Sequence, residues 1–144
     1  MANTNAIIAT IANIHNSANK LIVEELKKYG LEGLAPSHGD ILIVLYQNQS
    51  GIPMNKITAS INKDKSTVTA LINKLVKMEL IEKFKHEVDS RSTMVRLTQK
   101  GLDTKPLVDK ISEKLLLKSY KGFNEEEKEE VNNLLERIKS NFLN

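Results

Sequence analysis

The chain has no cysteine and no tryptophan, and its 144 residues include only three phenylalanines, three tyrosines and three prolines. Without cysteine there is no disulfide framework, no thiol nucleophile and no thiolate site for zinc or redox sensing. With so few rings the core must be aliphatic. No apolar run reaches the ~18 residues that a membrane-spanning helix needs. The start, Met1-Ala2-Asn3-Thr4-Asn5, lacks the basic region of a secretory signal. A cytoplasmic protein with no membrane partner is expected. There is no Gly-rich phosphate loop, no Gly-x-Ser-x-Gly elbow and no His-Glu-x-x-His pair. His15, His38 and His86 are scattered, with no pair at i,i+4 spacing. The expectation is therefore no enzyme, no metal and no cofactor.

The charge is unevenly placed. The formal net charge is only +3. Between Asn55 and Lys100, however, ten Lys/Arg face five Asp/Glu, while the remainder carries eleven against thirteen. A positive field confined to one stretch is the footprint expected of a nucleic-acid reader.

Residues 5–29 read as one long helix, with Ile7, Ile11, Ile14, Ala18 and Leu21 at a 3–4 spacing and Tyr29-Gly30 at its end. Residues 37–47 are apolar nearly all round, so this helix should be central. Gln49 to Pro53 reads as a break. A short helix at 54–61 and a tight Asn62-Lys63 turn lead to Asp64, a good N-cap for a helix at 65–78. That spacing is a helix-turn-helix. Segments 81–86 and 93–97 are β-rich and flank a polar link, with no Asn-Gly or Gly-Gly, so a longer projecting hairpin is expected rather than a two-residue turn. Thr98 caps the next helix. Pro106 imposes a kink or restart, and Leu107, Ile111, Leu115 and Leu116 should point inward. Asn124, followed by Glu125-Glu126-Glu127, opens a last helix with Val131, Leu134, Leu135, Ile138 and Phe142 on one stripe.

With Val68, Leu71, Ile72, Leu75 and Val76 facing inward, the outer stripe of the 65–78 helix is Lys65, Ser66, Thr67, Thr69, Ala70, Asn73, Lys74 and Lys77. Free N–H groups of the first turn attract phosphate. Small hydroxyls allow close approach to base edges, Ala70 suits a thymine methyl and Asn73 suits adenine. On the hairpin, Arg91 is one of only three arginines, and it sits beside Asp89 and Ser92 at the tip. A carboxylate two residues away pre-orders a guanidinium, and narrow minor grooves attract one. Lys83, Lys85 and Arg96 flank it as backbone contacts. The fold class expected is mainly α with a small β-hairpin wing.

Ile57 to Gly101 resembles the winged helix-turn-helix of the MarR family of bacterial transcription regulators. Lys65-Ser-Thr-Val-Thr-Ala-Leu-Ile-Asn-Lys-Leu is similar to the family's recognition helix, and Asp89-Ser90-Arg91 followed by Leu97-Thr-Gln-Lys-Gly101 to its wing and the start of its fifth helix. Glu79 stands where the family often has Gly, and Ala70 and Ser90 where it often has Arg. The resemblance implies one domain over 1–144. About 34–102 would form the DNA-binding lobe, and about 1–33 and 103–144 the dimerisation helices. It also implies a homodimer on a pseudo-palindromic double-stranded operator, often a repressor and often released by a small-molecule effector. Ile7, Ile11, Ile14, Leu134, Leu135, Ile138 and Phe142 are then the expected dimer contacts. Tyr29, His38, Tyr46 and Ile111 are guesses for an effector cleft, against which stands a packed core. The alternative function is a winged-helix protein-interaction module without DNA binding.

Overall fold

The computed structural model describes residues 3–143, which fall into two compact units divided between Ile111 and Ser112. A 3-10 turn at Thr4–Ala6 leads into α1 (Ile7–Lys28). Tyr29 ends α1, Gly30 turns left-handed at φ 81°, and the Leu31 N–H returns to the Leu26 carbonyl at 2.8 Å. This is the helix stop that glycine permits. In α2 (Pro36–Tyr46), Pro36 sits in the first turn, and His38 Nδ1 accepts the Ala35 N–H at 2.8 Å, closing the helix start. Ile41, Leu42 and Leu45 are fully buried, so α2 is the central helix, although Ile43 on its outer side is exposed.

The helix-turn-helix comprises α3 (Met54–Ile61) and α4 (Lys65–Lys77). Asn62 joins them in the left-handed region at φ 53°, which asparagine tolerates. Ile57, Val68, Ile72 and Leu75 close the pair over α2. Past α4, Glu79 is also left-handed at φ 62°, with the Glu79 and Leu80 N–H groups donating to the Val76 and Leu75 carbonyls. Glycine takes this conformation more readily, and Glu79 adopts it with a Cβ.

The wing pairs β2 (Ile81–Lys85) with β3 (Thr93–Leu97), antiparallel, from Ile81 opposite Leu97 to Lys85 opposite Thr93. The link between them is long, as its sequence predicts. One strand is a correction. Ile52–Pro53, read as part of a break, forms β1 and pairs with Val95 and Met94 of β3, giving the sheet order β1-β3-β2. Proline is tolerated because β1 is an edge strand, and two residues are too few to show a period.

Thr98 caps α5 (Gln99–Asp103), and its hydroxyl donates to the Glu79 carbonyl at 2.6 Å. A Cβ on Gly101 would collide with the Leu80 carbonyl, so only glycine lets α5 start against the end of α4. After Thr104, α6 (Lys105–Ser119) restarts with Pro106 in its first turn. Here the expected inward set is corrected: Ile111 and Val108 are buried, whereas Leu116 is exposed. In the second unit, Asn124 and Glu127 cap the start of α7 (Glu125–Asn141) reciprocally. None of α7's residues is buried. The chain is mainly α with a small antiparallel sheet at its wing.

Candidate nucleic-acid interface

The exposed side of α4 begins with a knot of hydrogen bonds. Asp64 Oδ1 accepts the Thr67 N–H at 2.8 Å and the Ser66 hydroxyl at 2.7 Å, and its Oδ2 accepts the Thr67 hydroxyl at 2.8 Å. These bonds hold the carboxyl at a pKa of about 2, the Thr67 N–H contributing most. A hydroxyl has one hydrogen. Ser66 and Thr67 spend theirs on Asp64, and Thr69 donates its own to the Lys65 carbonyl. All three therefore present only oxygen lone pairs outward. Such oxygens match the amino groups of cytosine or adenine rather than phosphates. Sequence reasoning anticipated the cap but not this loss of donors.

Lys65, Ser66, Thr67, Ala70, Asn73, Lys74 and Lys77 are exposed and Thr69 is half-buried. The structure divides this stripe. Asn73 Oδ1 accepts from Lys83 Nζ of β2 at 2.6 Å. Lys74 reaches the other way, its ammonium lying against the Gly33 turn and its charge lowering the His38 pKa after burial has done most of that work.

At the tip of the wing, Arg91 is 92% exposed at its side chain. Its Nε donates to Asp89 Oδ1 at 3.2 Å, and its backbone N–H to the same oxygen at 3.1 Å. The carboxylate thus steers the guanidinium without burying it. His86 was missed as an organiser: its Nδ1 accepts both the Val88 and Asp89 N–H groups at 3.0 Å, fixing the loop that carries Arg91. Its signal was a lone histidine at a strand end, which many roles share. Arg96 is engaged within the sheet. It pairs with Glu82 across the strands at 2.7 Å, and its guanidinium stacks 4.3 Å from the Phe84 ring. Lys85 is exposed and Ser92 half-buried.

A cleft of about 380 Å³ opens between the start of α3, the start of α4 and the wing. Lys65, Thr69, Arg91 and Ser92 line it together, and Asn55 and Thr58 of α3 complete the polar wall. Those two lie three residues apart beside inward-facing Ile57, a spacing that could have identified them. The proposed effector residues stand elsewhere. His38, Tyr46 and Ile111 are buried, and Tyr29 is partly exposed. The Tyr46 hydroxyl lies 2.8 Å from Thr104 Oγ1, whose own hydrogen goes to the Gly101 carbonyl, so Tyr46 is the donor. His38 is occupied in capping α2. Among the described residues no group of His, Asp or Glu could hold a metal ion, and no helix is long and apolar enough to cross a membrane.

The expected dimer contacts lie on the outside of the chain. Ile7, Ile14, Leu134, Leu135 and Phe142 are exposed, and Ile11 and Ile138 are half-buried.

Residues 34–93 match the MarR family. The chain is 24% identical over 98 residues to the HTH-type transcriptional regulator MgrA of Staphylococcus aureus, a match spanning 68% of this chain and 65% of that protein. To SarZ, another HTH-type transcriptional regulator of S. aureus, it is 27% identical over 128 residues, covering 87% and 84% of the two chains. A solved mutant MarR of E. coli complexed with operator DNA superposes with a TM-score of 0.80 at 16% identity, over 95% of this chain and 99% of that one. The last likeness is one of fold.

Proposed function

We propose that the chain is a MarR-family transcription regulator, a reading supported by the match of residues 34–93 to that family, and that it binds double-stranded DNA sequence-specifically as a homodimeric repressor in the cytoplasm, without enzymatic activity. α4 enters the major groove, with Ser66, Thr67, Thr69, Ala70 and Asn73 toward the base edges. Lys65, Lys77, Lys83 and Lys85 meet phosphates, and Arg91 reaches the adjacent minor groove. Two copies related by a two-fold axis present two such helices to a pseudo-palindrome. A small-molecule effector that prefers one dimer geometry would shift DNA affinity by linkage.

One observation carries the reading: Lys65 and Thr69 of α4 and Arg91 and Ser92 of the wing face a single cleft. A polar helix face and an exposed arginine held by its own carboxylate, brought to one concavity, suit a backbone that runs between two grooves. The sequence relatives are HTH-type transcriptional regulators, and one structural neighbour is complexed with operator DNA.

The test is selection of bound fragments from genomic DNA, followed by fluorescence titration on the recovered site at several salt concentrations. Wild type is expected to enrich a symmetric site. Failure to enrich any sequence overturns the proposal. Arg91→Ala is expected to weaken binding and to reduce the slope of log affinity against log salt by about one. Unchanged affinity and slope would remove Arg91 from the interface.

A further inference from the structure

The contact between α4 and β2 bears on which base the recognition helix selects. Lys83 Nζ donates to Asn73 Oδ1 at 2.6 Å. An ammonium carries three donors and no acceptor, so the atom facing it must be the amide oxygen. That fixes the orientation of the Asn73 side chain, which a contact with a hydroxyl would have left open. Asn73 is exposed on the same stripe as Ser66, Thr69 and Ala70, at helical spacing. It therefore presents its Nδ2 hydrogens outward while its oxygen is already engaged.

The usual pairing of asparagine with adenine needs both ends of the amide: the oxygen takes the N6 amine and the nitrogen gives to N7. Lys83 takes one of the two lone pairs of that oxygen and sets a cation beside it, so adenine's amine meets a shared acceptor and a competing donor. Guanine shows N7 and O6, both acceptors, and thymine shows O4. Those edges match an outward amide NH₂.

We propose that Lys83 is a specificity-positioning residue, which by holding the Asn73 amide oxygen turns Asn73 from a reader of adenine into a reader of acceptor-bearing bases, guanine or thymine. The proposal rests on the DNA-binding reading above. The wing strand then sets base choice on a helix ten residues away in the chain, without itself entering the groove.

The experiment is selection of binding sites from a random duplex library with three full-length proteins: wild type, Asn73→Ala and Lys83→Met. Both altered residues are solvent-exposed, and circular dichroism verifies folding. Asn73→Ala defines the operator position by erasing its preference. At that position wild type is expected to enrich guanine or thymine. Lys83→Met, with the oxygen released, is expected to shift enrichment toward adenine by about tenfold. The readout is base identity, so a general loss of affinity from removing a cation does not imitate it. Enrichment of adenine by wild type overturns the assignment. So does a guanine or thymine preference that Lys83→Met leaves unchanged, or an Asn73→Ala profile identical to wild type. If wild type enriches no sequence at all, the DNA-binding reading itself falls and takes this assignment with it.

Discussion

At the scale of single residues, Asp64 joins stability to acidity. Its folded-state pKa of about 2 lies below the ordinary 3.8, so ionisation favours the folded chain. The contribution is fully present above the ordinary value and disappears as pH falls through the depressed one. Asp64→Asn keeps an acceptor at the cap but loses the charge. The melting temperature of wild type should exceed that of Asp64→Asn near pH 5, and the gap should close between about pH 4 and about pH 2. A gap that is independent of pH, measured by circular dichroism, would show that the charge of Asp64 does not matter to the fold. The cap itself was legible in the sequence, because an aspartate before a hydroxyl-rich, periodic segment is a helix start. The fate of the hydroxyls was not. Ser66, Thr67 and Thr69 can point their hydrogens at solvent, phosphate or their own helix, and only the placed atoms distinguish these. Arg96 has the same history. As a cation on the wing it reads as a DNA contact, but it is paired with Glu82, which lies directly across the ladder, a register that sequence alone does not state.

At the scale of elements, the junction of α4, the wing and α5 is tightly constrained. Thr98 N–H donates to the Leu80 carbonyl, the Thr98 hydroxyl donates to Glu79, and Gly101 leaves room for that carbonyl. The Leu97-Thr-x-x-Gly101 pattern, visible in the sequence, thus acquires a steric cause. Gly101→Ala should cost roughly 2–3 kcal/mol in urea denaturation, because the obstacle is backbone and cannot swing aside. A midpoint equal to wild type would mean that the junction has slack. Helices of eight or more residues were readable from their stripes and caps. β1 was not, since two residues show no alternation and one of them is proline. The inward face of α6 was misjudged at Leu116 because a stripe of leucines does not reveal which of them another element covers.

At the scale of the whole molecule, the unmatched feature is apolar surface at both ends of the sequence. α7 buries none of its residues in the isolated chain, though Leu134 and Leu135 are only 45% and 44% exposed, and α1 leaves Ile8 and Ile14 more than half exposed. A helix with an uncovered apolar side calls for a partner, which supports the proposed homodimer. Leu134→Asp combined with Leu135→Asp should yield a monomer by sedimentation and reduce operator affinity at least about tenfold, since one recognition helix then binds alone. An intact dimer would assign the interface to other residues. A last consequence concerns β1. Pro53 is both the end of that strand and the residue from which α3 springs, and β1 is stitched to the wing's inner strand. Finger and helix pair are therefore laced into one jaw through β1, so on the proposed reading a movement that draws α3 off the duplex pulls on the wing's inner strand as well.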